Sequence, residues 1–152
     1  MIRKEKLKWY EKEFEDISKE LKNKDMLSHY EFLRIRNFKL RNLSAETEES
    51  VNDITKEAFK LAKDDKIEES IKELLKFNGV GIPIASTILA MKYPDKFAII
   101  DRRVINALGR TEWLKDYLSN PATYKSYLVL LRENSKVSGK KLRDYERELF
   151  EK

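Results

Sequence analysis

The apolar residues of this chain recur at intervals of three and four, and very little interrupts them. In residues 3–22, RKEKLKWYEKEFEDISKELK, the side chains of Leu7, Tyr10, Phe14, Ile17 and Leu21 fall on one helix face and leave the other charged. Tyr30, Leu33 and Leu40 continue the rhythm in a second helix over about 27–42. Ser44 is expected to cap a third, with Glu46, Thr47 and Glu48 in its first turn and Val51, Ile54, Ala58, Leu61 and Ala62 on its core face. Ile67, Ile71, Leu74 and Leu75 define a fourth, and Ile84, Ile88 and Leu89 a fifth that stops before Tyr93-Pro94. RRVINALG makes a short helix ended by Gly109, and Pro121 opens another carrying Tyr124, Tyr127, Leu128 and Leu131. Lys140 to Phe150 is the last, with Leu142, Tyr145 and Leu149 inward. Trp9, Tyr93, Trp113 and Tyr117 are expected to supply aromatic volume to the core. No segment has the pattern of a strand. The fold expected is all-α, a compact bundle of about eight or nine short helices. It forms a single domain over 1–152: N-terminal helices to 65, a hairpin and aspartate segment over 66–109, and C-terminal helices over 110–152.

Several chemistries are excluded at once. The chain has no cysteine and one histidine, His29, so disulfides, thiolate nucleophiles, iron–sulfur clusters and a conventional His/Cys zinc site are all out of reach. No apolar run reaches the roughly 18–20 residues of a membrane span, and the N-terminal stretch is too charged for a signal sequence. A soluble, cytoplasmic protein is expected. The formal charge of +5 is unevenly placed: residues 1–76 carry 18 basic and 18 acidic side chains, residues 77–152 carry 14 and 9. A basic half suits an anionic partner such as nucleic acid, or is simply a lysine-rich solvated surface.

Two of the four glycines stand in one short stretch, FNGVGIPIAS over 77–86. Gly79 and Gly81 allow the tight reversal that joins the fourth helix to the fifth, and Val80 between them can plug into the core. Pro83 suits the first turn of the next helix, where a missing N–H costs nothing. Glycines without side chains are expected to leave the first amides of that helix open, a ready anion site for which a DNA phosphate is the natural guest. The alternative is a plain helix-to-helix connection with glycines for geometry alone.

The stretch IKELLKFNGVGIPIASTIL resembles the hairpin of the helix-hairpin-helix DNA glycosylase superfamily, in which a G-V-G turn is followed by Ala and then Ile-Leu. Gly79, Val80, Gly81, Ala85, Ile88 and Leu89 fall on that pattern. In the superfamily a catalytic aspartate lies about twenty residues beyond the second glycine, after an apolar run and at the start of a helix. Asp101 stands 20 residues after Gly81, behind Phe97-Ala98-Ile99-Ile100 and ahead of RRVINALG. The resemblance covers 67–109, with the hairpin proper at about 67–92. Beyond it, 126–150 is faintly similar to small uncharacterised members without the catalytic lysine and without the iron–sulfur cluster.

The resemblance implies a protein of double-stranded DNA, acting as a monomer in base-excision repair. Asn78, Gly79, Val80 and Gly81 would grip the backbone while Asp101 assists hydrolysis of an N-glycosidic bond. A carboxylate near C1′ stabilises the developing oxocarbenium ion and orients the attacking water. Strand-nicking members carry a Schiff-base lysine two residues after the second glycine; here that residue is Pro83, so a monofunctional glycosylase is implied, without lyase activity. The family's histidine two residues after its aspartate is Arg103 here, and Arg102 with Arg103 would bind phosphate or pair with acidic neighbours. The resemblance also implies a structural K+ or Na+ on the backbone carbonyls of Leu75, Phe77 and Val80. A non-catalytic module that keeps only the hairpin is the alternative, because a chain of 152 residues leaves little material for a lesion pocket.

Two basic runs complete the candidates. RIRNFKLR over 34–41 places Lys39 and Arg41 with Phe38 either along a DNA groove or on a solvated face with the ring packed inward. KVSGKKLR over 136–143 offers Lys140 and Lys141 as phosphate contacts or as a solvated loop.

Overall fold

The computed structural model describes residues 4–38 and 48–152. All regular structure among them is helical: α1 (Lys4–Leu21), α2 (His29–Phe38), α3 (Glu48–Lys63), α4 (Ile67–Leu74), α5 (Ile82–Lys92), α6 (Arg102–Ala107), α7 (Pro121–Ser138) and α8 (Leu142–Phe150). A 3-10 turn at Thr111–Lys115 lies between α6 and α7. Ser44, Lys39 and Arg41 lie outside the described residues. Among the described residues no helix is long and apolar enough to cross a membrane.

The pattern of α5 sets the arrangement of the rest. Its sequence, IPIASTILAMK, has no polar face, and every residue from Ile84 to Met91 is buried. A helix that is apolar all round belongs in the middle. The four preceding helices all pack against it, α3 and α4 form the broadest helix pair, and α7 joins α4 to α8. Phe14, Ile17 and Leu21 of α1 are buried on the expected stripe. Two aromatic expectations fail. Trp9 is 51% exposed because it stands one residue, about 100°, off the stripe. Tyr30 is 72% exposed because α2 turns Phe32 and Ile35 inward, and position 30 lies about 200° from position 32. Tyr93, Trp113 and Tyr117 are partly buried against the core, as expected.

The start of α2 is fixed by local chemistry. The Glu31 N–H donates to Ser28 Oγ at 3.1 Å while the Ser28 N–H donates back to Glu31 Oε1 at 2.9 Å, a reciprocal capping box. Burial works against the Glu31 charge, but the Lys24 ammonium and the Ser28 N–H outweigh it and hold the carboxyl below its ordinary range. Phe32 then reaches Phe77, ring centroids 4.6 Å apart, and ties α2 to the turn after α4.

Candidate functional site

The turn between α4 and α5 tightens before it reverses. The Lys76 and Phe77 N–H groups reach back three residues, to Glu73 and Leu74, instead of four. Gly79 then adopts φ +77°, the left-handed region where a β-carbon is strained. Val80 drops into the core, and its N–H donates to the Phe77 carbonyl at 3.3 Å. Gly81 has ordinary extended angles, so its reason is different: a Cβ there would sit 3.3 Å from the Leu118 carbonyl oxygen.

That carbonyl overturns part of the expectation for the helix start. The Ile82 N–H, first of α5, donates to Leu118 O at 3.1 Å, and Pro83 has no N–H to offer. The first amides of α5 are therefore not left open as a set. The N–H groups of Gly79, Gly81 and Ile84 make no backbone hydrogen bond among the described residues, and Asn78 and Gly79 are exposed. Any anion at this turn is met by the amides of the two glycines, since the Val80 N–H is taken by the Phe77 carbonyl and its side chain by the core.

Asp101 is positioned from several sides. The extended run Phe97–Ile100 is buried and pinned by side chains: the Tyr124 hydroxyl donates to Ala98 O and that of Tyr127 to Ile99 O, both at 2.8 Å. The Ile100 N–H donates to Ser86 Oγ on α5 at 3.0 Å, which couples the run to the helix that follows the glycines. Burial drives both phenols well above their ordinary pKa, so they stay protonated donors. Asp101 then caps α6, Oδ1 accepting the Arg103 N–H at 2.7 Å.

The aspartate lines a small cavity of about 20 Å³ with Leu7, Tyr10, Ile99 and Arg143. By the measure that a water needs about 10–15 Å³, its volume has room for about one water and none for a nucleobase. Outside it lies an open groove of about 970 Å³ between α1 and the end of α8, which shares Leu7, Glu11, Arg147 and Phe150 with the cavity. The partition between them is ionic. Arg143 grips Glu11 with bonds of 2.9 and 3.1 Å and Glu146 at 3.2 Å, with its guanidinium 3.9 Å from the Phe14 ring centre. Arg147 reaches Glu11 at 3.2 Å. Burial opposes the Arg143 charge, yet Glu146 and Glu11 raise its pKa further.

The remaining candidates separate. Arg102 is exposed, and Arg103 lies over the Phe150 ring at 5.1 Å beside the groove. Lys140 pairs with Glu148, and Lys141 is exposed at the N-cap of α8, one helix length (about 13 Å) from Phe150. Arg34, from the first basic run, is committed to Glu13 and Glu20. Tyr124, Tyr127, Ser86, Arg143 and Leu118 hold the site and were not singled out by sequence as functional. A tyrosine at a core helix position was the available signal, since a buried hydroxyl needs a partner.

The features in hand define a class: an all-helical domain with a glycine turn leading into a central apolar helix, and an aspartate that caps a short helix and lines a small cavity beside a groove. No protein-family model matches the chain, and no curated protein or solved structure is significantly similar to it.

Proposed function

We propose that this protein binds double-stranded DNA as a monomer and removes a damaged or mispaired base as a monofunctional N-glycosylase. The observation that carries the reading is Asp101, a carboxylate fixed at a helix cap in a small cavity beside an open groove and linked through Ile100 and Ser86 to the helix after the glycine turn. In the reaction the C1′–N bond breaks and the base leaves with the proton that balances it. The carboxylate stabilises the sugar cation, and water closes on C1′. The base must first leave the stack, at a cost of a few kcal/mol that damage or mispairing lowers. The K+ or Na+ of the resemblance would sit on the carbonyls of Leu75, Phe77 and Val80. Those of Leu75 and Val80 accept no backbone hydrogen bond among the described residues, and the long bond to Phe77 leaves that oxygen a lone pair.

The test is a panel of duplexes carrying uracil, 8-oxoguanine, hypoxanthine or alkylated bases, followed by alkali. Asp101→Asn preserves the cap, since Asn caps as well as Asp. Cleavage is expected to fall by roughly 10²-fold or more at unchanged melting temperature. Equal activity in the variant would remove Asp101 from the chemistry. With Pro83 in place of the lysine, borohydride is expected to trap no covalent adduct.

The second reading, a DNA-binding module without chemistry, is favoured by the size of the cavity at Asp101, which admits a water alone. It predicts salt-dependent duplex binding with every lesion left intact.

A further inference from the structure

Helix α1 is held unequally along its length. Its C-terminal half is fastened on several sides: Phe14, Ile17 and Leu21 are buried, and Arg34 of α2 bridges Glu13 and Glu20. The Lys92 ammonium, at the end of α5, donates to the carbonyls of Leu21 at 2.9 Å and Lys22 at 3.3 Å, and so caps that end of the helix with a cation. The N-terminal half is different. No residue from Glu5 to Glu13 is buried, and among the described residues the ion pairs of 5–12 converge on Glu11, which meets Arg143 and Arg147. Yet this half supplies Leu7, Tyr10 and Glu11 to the wall of the Asp101 cavity. Opposite it, α8 packs on α6 and α7 and reaches α1 through the side chains of its two arginines. A stretch with few buried apolar groups lies at the low end of local stability. The Glu11 side chain is only 13% exposed, so its charge is tolerated there while the arginines face it.

We infer that residues 5–12 of α1 form a lid over the cavity at Asp101, clasped shut through Glu11 by Arg143 and Arg147. While the clasp holds, the cavity has room for about one water; anything larger reaches the carboxylate from this side only when the lid lifts. That the lid guards a reactive group rests on the glycosylase reading above, whereas the lid itself rests on the packing of α1.

The chain has no cysteine, so one introduced thiol reports its own site. Ile99→Cys puts a thiol in the cavity wall, where Ile99 is 4% exposed, and Ala62→Cys puts one on the buried face of α3, away from the cavity. Each is labelled under native conditions with excess aromatic disulfide, which forms a mixed disulfide and releases an aromatic thiolate. The Ile99→Cys thiol is expected to react about tenfold faster than the Ala62→Cys thiol, because lifting the lid is a smaller event than unfolding. Glu11→Gln keeps the size of the side chain and removes its charge, and is expected to widen that ratio by about tenfold more. Equal rates for the two thiols, or a Glu11→Gln effect that moves both in step, overturns the lid and leaves the reading of Asp101 untouched. Should Ile99→Cys fail to fold, amide hydrogen exchange of the unaltered chain serves instead. Amides of 8–12 are expected to exchange about tenfold faster than those of 14–20, with the gap widened by Glu11→Gln, and uniform protection along α1 overturns the inference. A lid that opens as described in a protein that cleaves no lesion removes the glycosylase reading alone.

Discussion

The glycine turn and the α1–α8 seam meet the same requirement, holding distant pieces of chain together, by opposite means. Around the turn the bonds are backbone to backbone and the packing is apolar: Val80 and Ile82 are buried, Phe77 lies against Phe32, and Ile82 N–H meets Leu118 O. Across the seam the contacts are charged, with Arg143 and Arg147 of α8 closing on Glu11 of α1 over 132 and 136 residues of sequence. Apolar packing is lost when its shape is spoiled. A buried ionic cluster is lost when one partner is taken away, because the others are then left charged and unsatisfied. The difference teaches that the DNA-gripping candidate is rigid by construction, while the wall of the Asp101 cavity is the part that one charge can undo.

The strongest way to break the comparison is Arg143→Met, which retains the stem and takes one cationic partner from each of Glu11 and Glu146. A loss of about 3–5 kcal/mol in urea unfolding is expected, and a loss below about 1 kcal/mol would show that the seam is not held by charge. Next comes the link between the regions. Tyr127→Phe removes the donor to Ile99 O and leaves a buried carbonyl unpaired, with about 1–3 kcal/mol expected from the same measurement. The smallest effect belongs to the turn. Gly79→Ala is expected to cost about 1–2 kcal/mol through its left-handed backbone, and to weaken duplex binding without changing the salt dependence that arises from lysines and arginines. An unchanged affinity would detach the turn from DNA.

The helices were legible because their signal is local. In α1 Phe14, Ile17 and Leu21 follow the stripe, whereas in α2 Phe32 and Ile35 are buried and Tyr30 is exposed, although the spacing of Tyr30 to Leu33 fits a helix equally well. The capping box at Ser28 and Glu31 is legible as a local Ser-x-x-Glu signature. Of the candidate site, the turn and the cap at Asp101 could be read from residue types and spacing. The rest could not, since nothing local relates Glu11 to Arg143 or Ile82 to Leu118. Those pairings exist only once tertiary packing has closed long loops, and any exposed Glu, Arg or Leu has the same sequence appearance.

The bond from Ile82 to Leu118 also bears on modularity. A helix–turn–helix of this kind invites transplantation as a self-contained cassette, residues 67–92 moved into a new host. Here the cassette ends short of its own keystone: the carbonyl that closes the start of α5 arrives 36 positions later, from the loop whose Asn120 caps α7. A graft would carry both glycines and leave that carbonyl behind, so the recipient would have to supply an acceptor of its own before the turn regained its native shape.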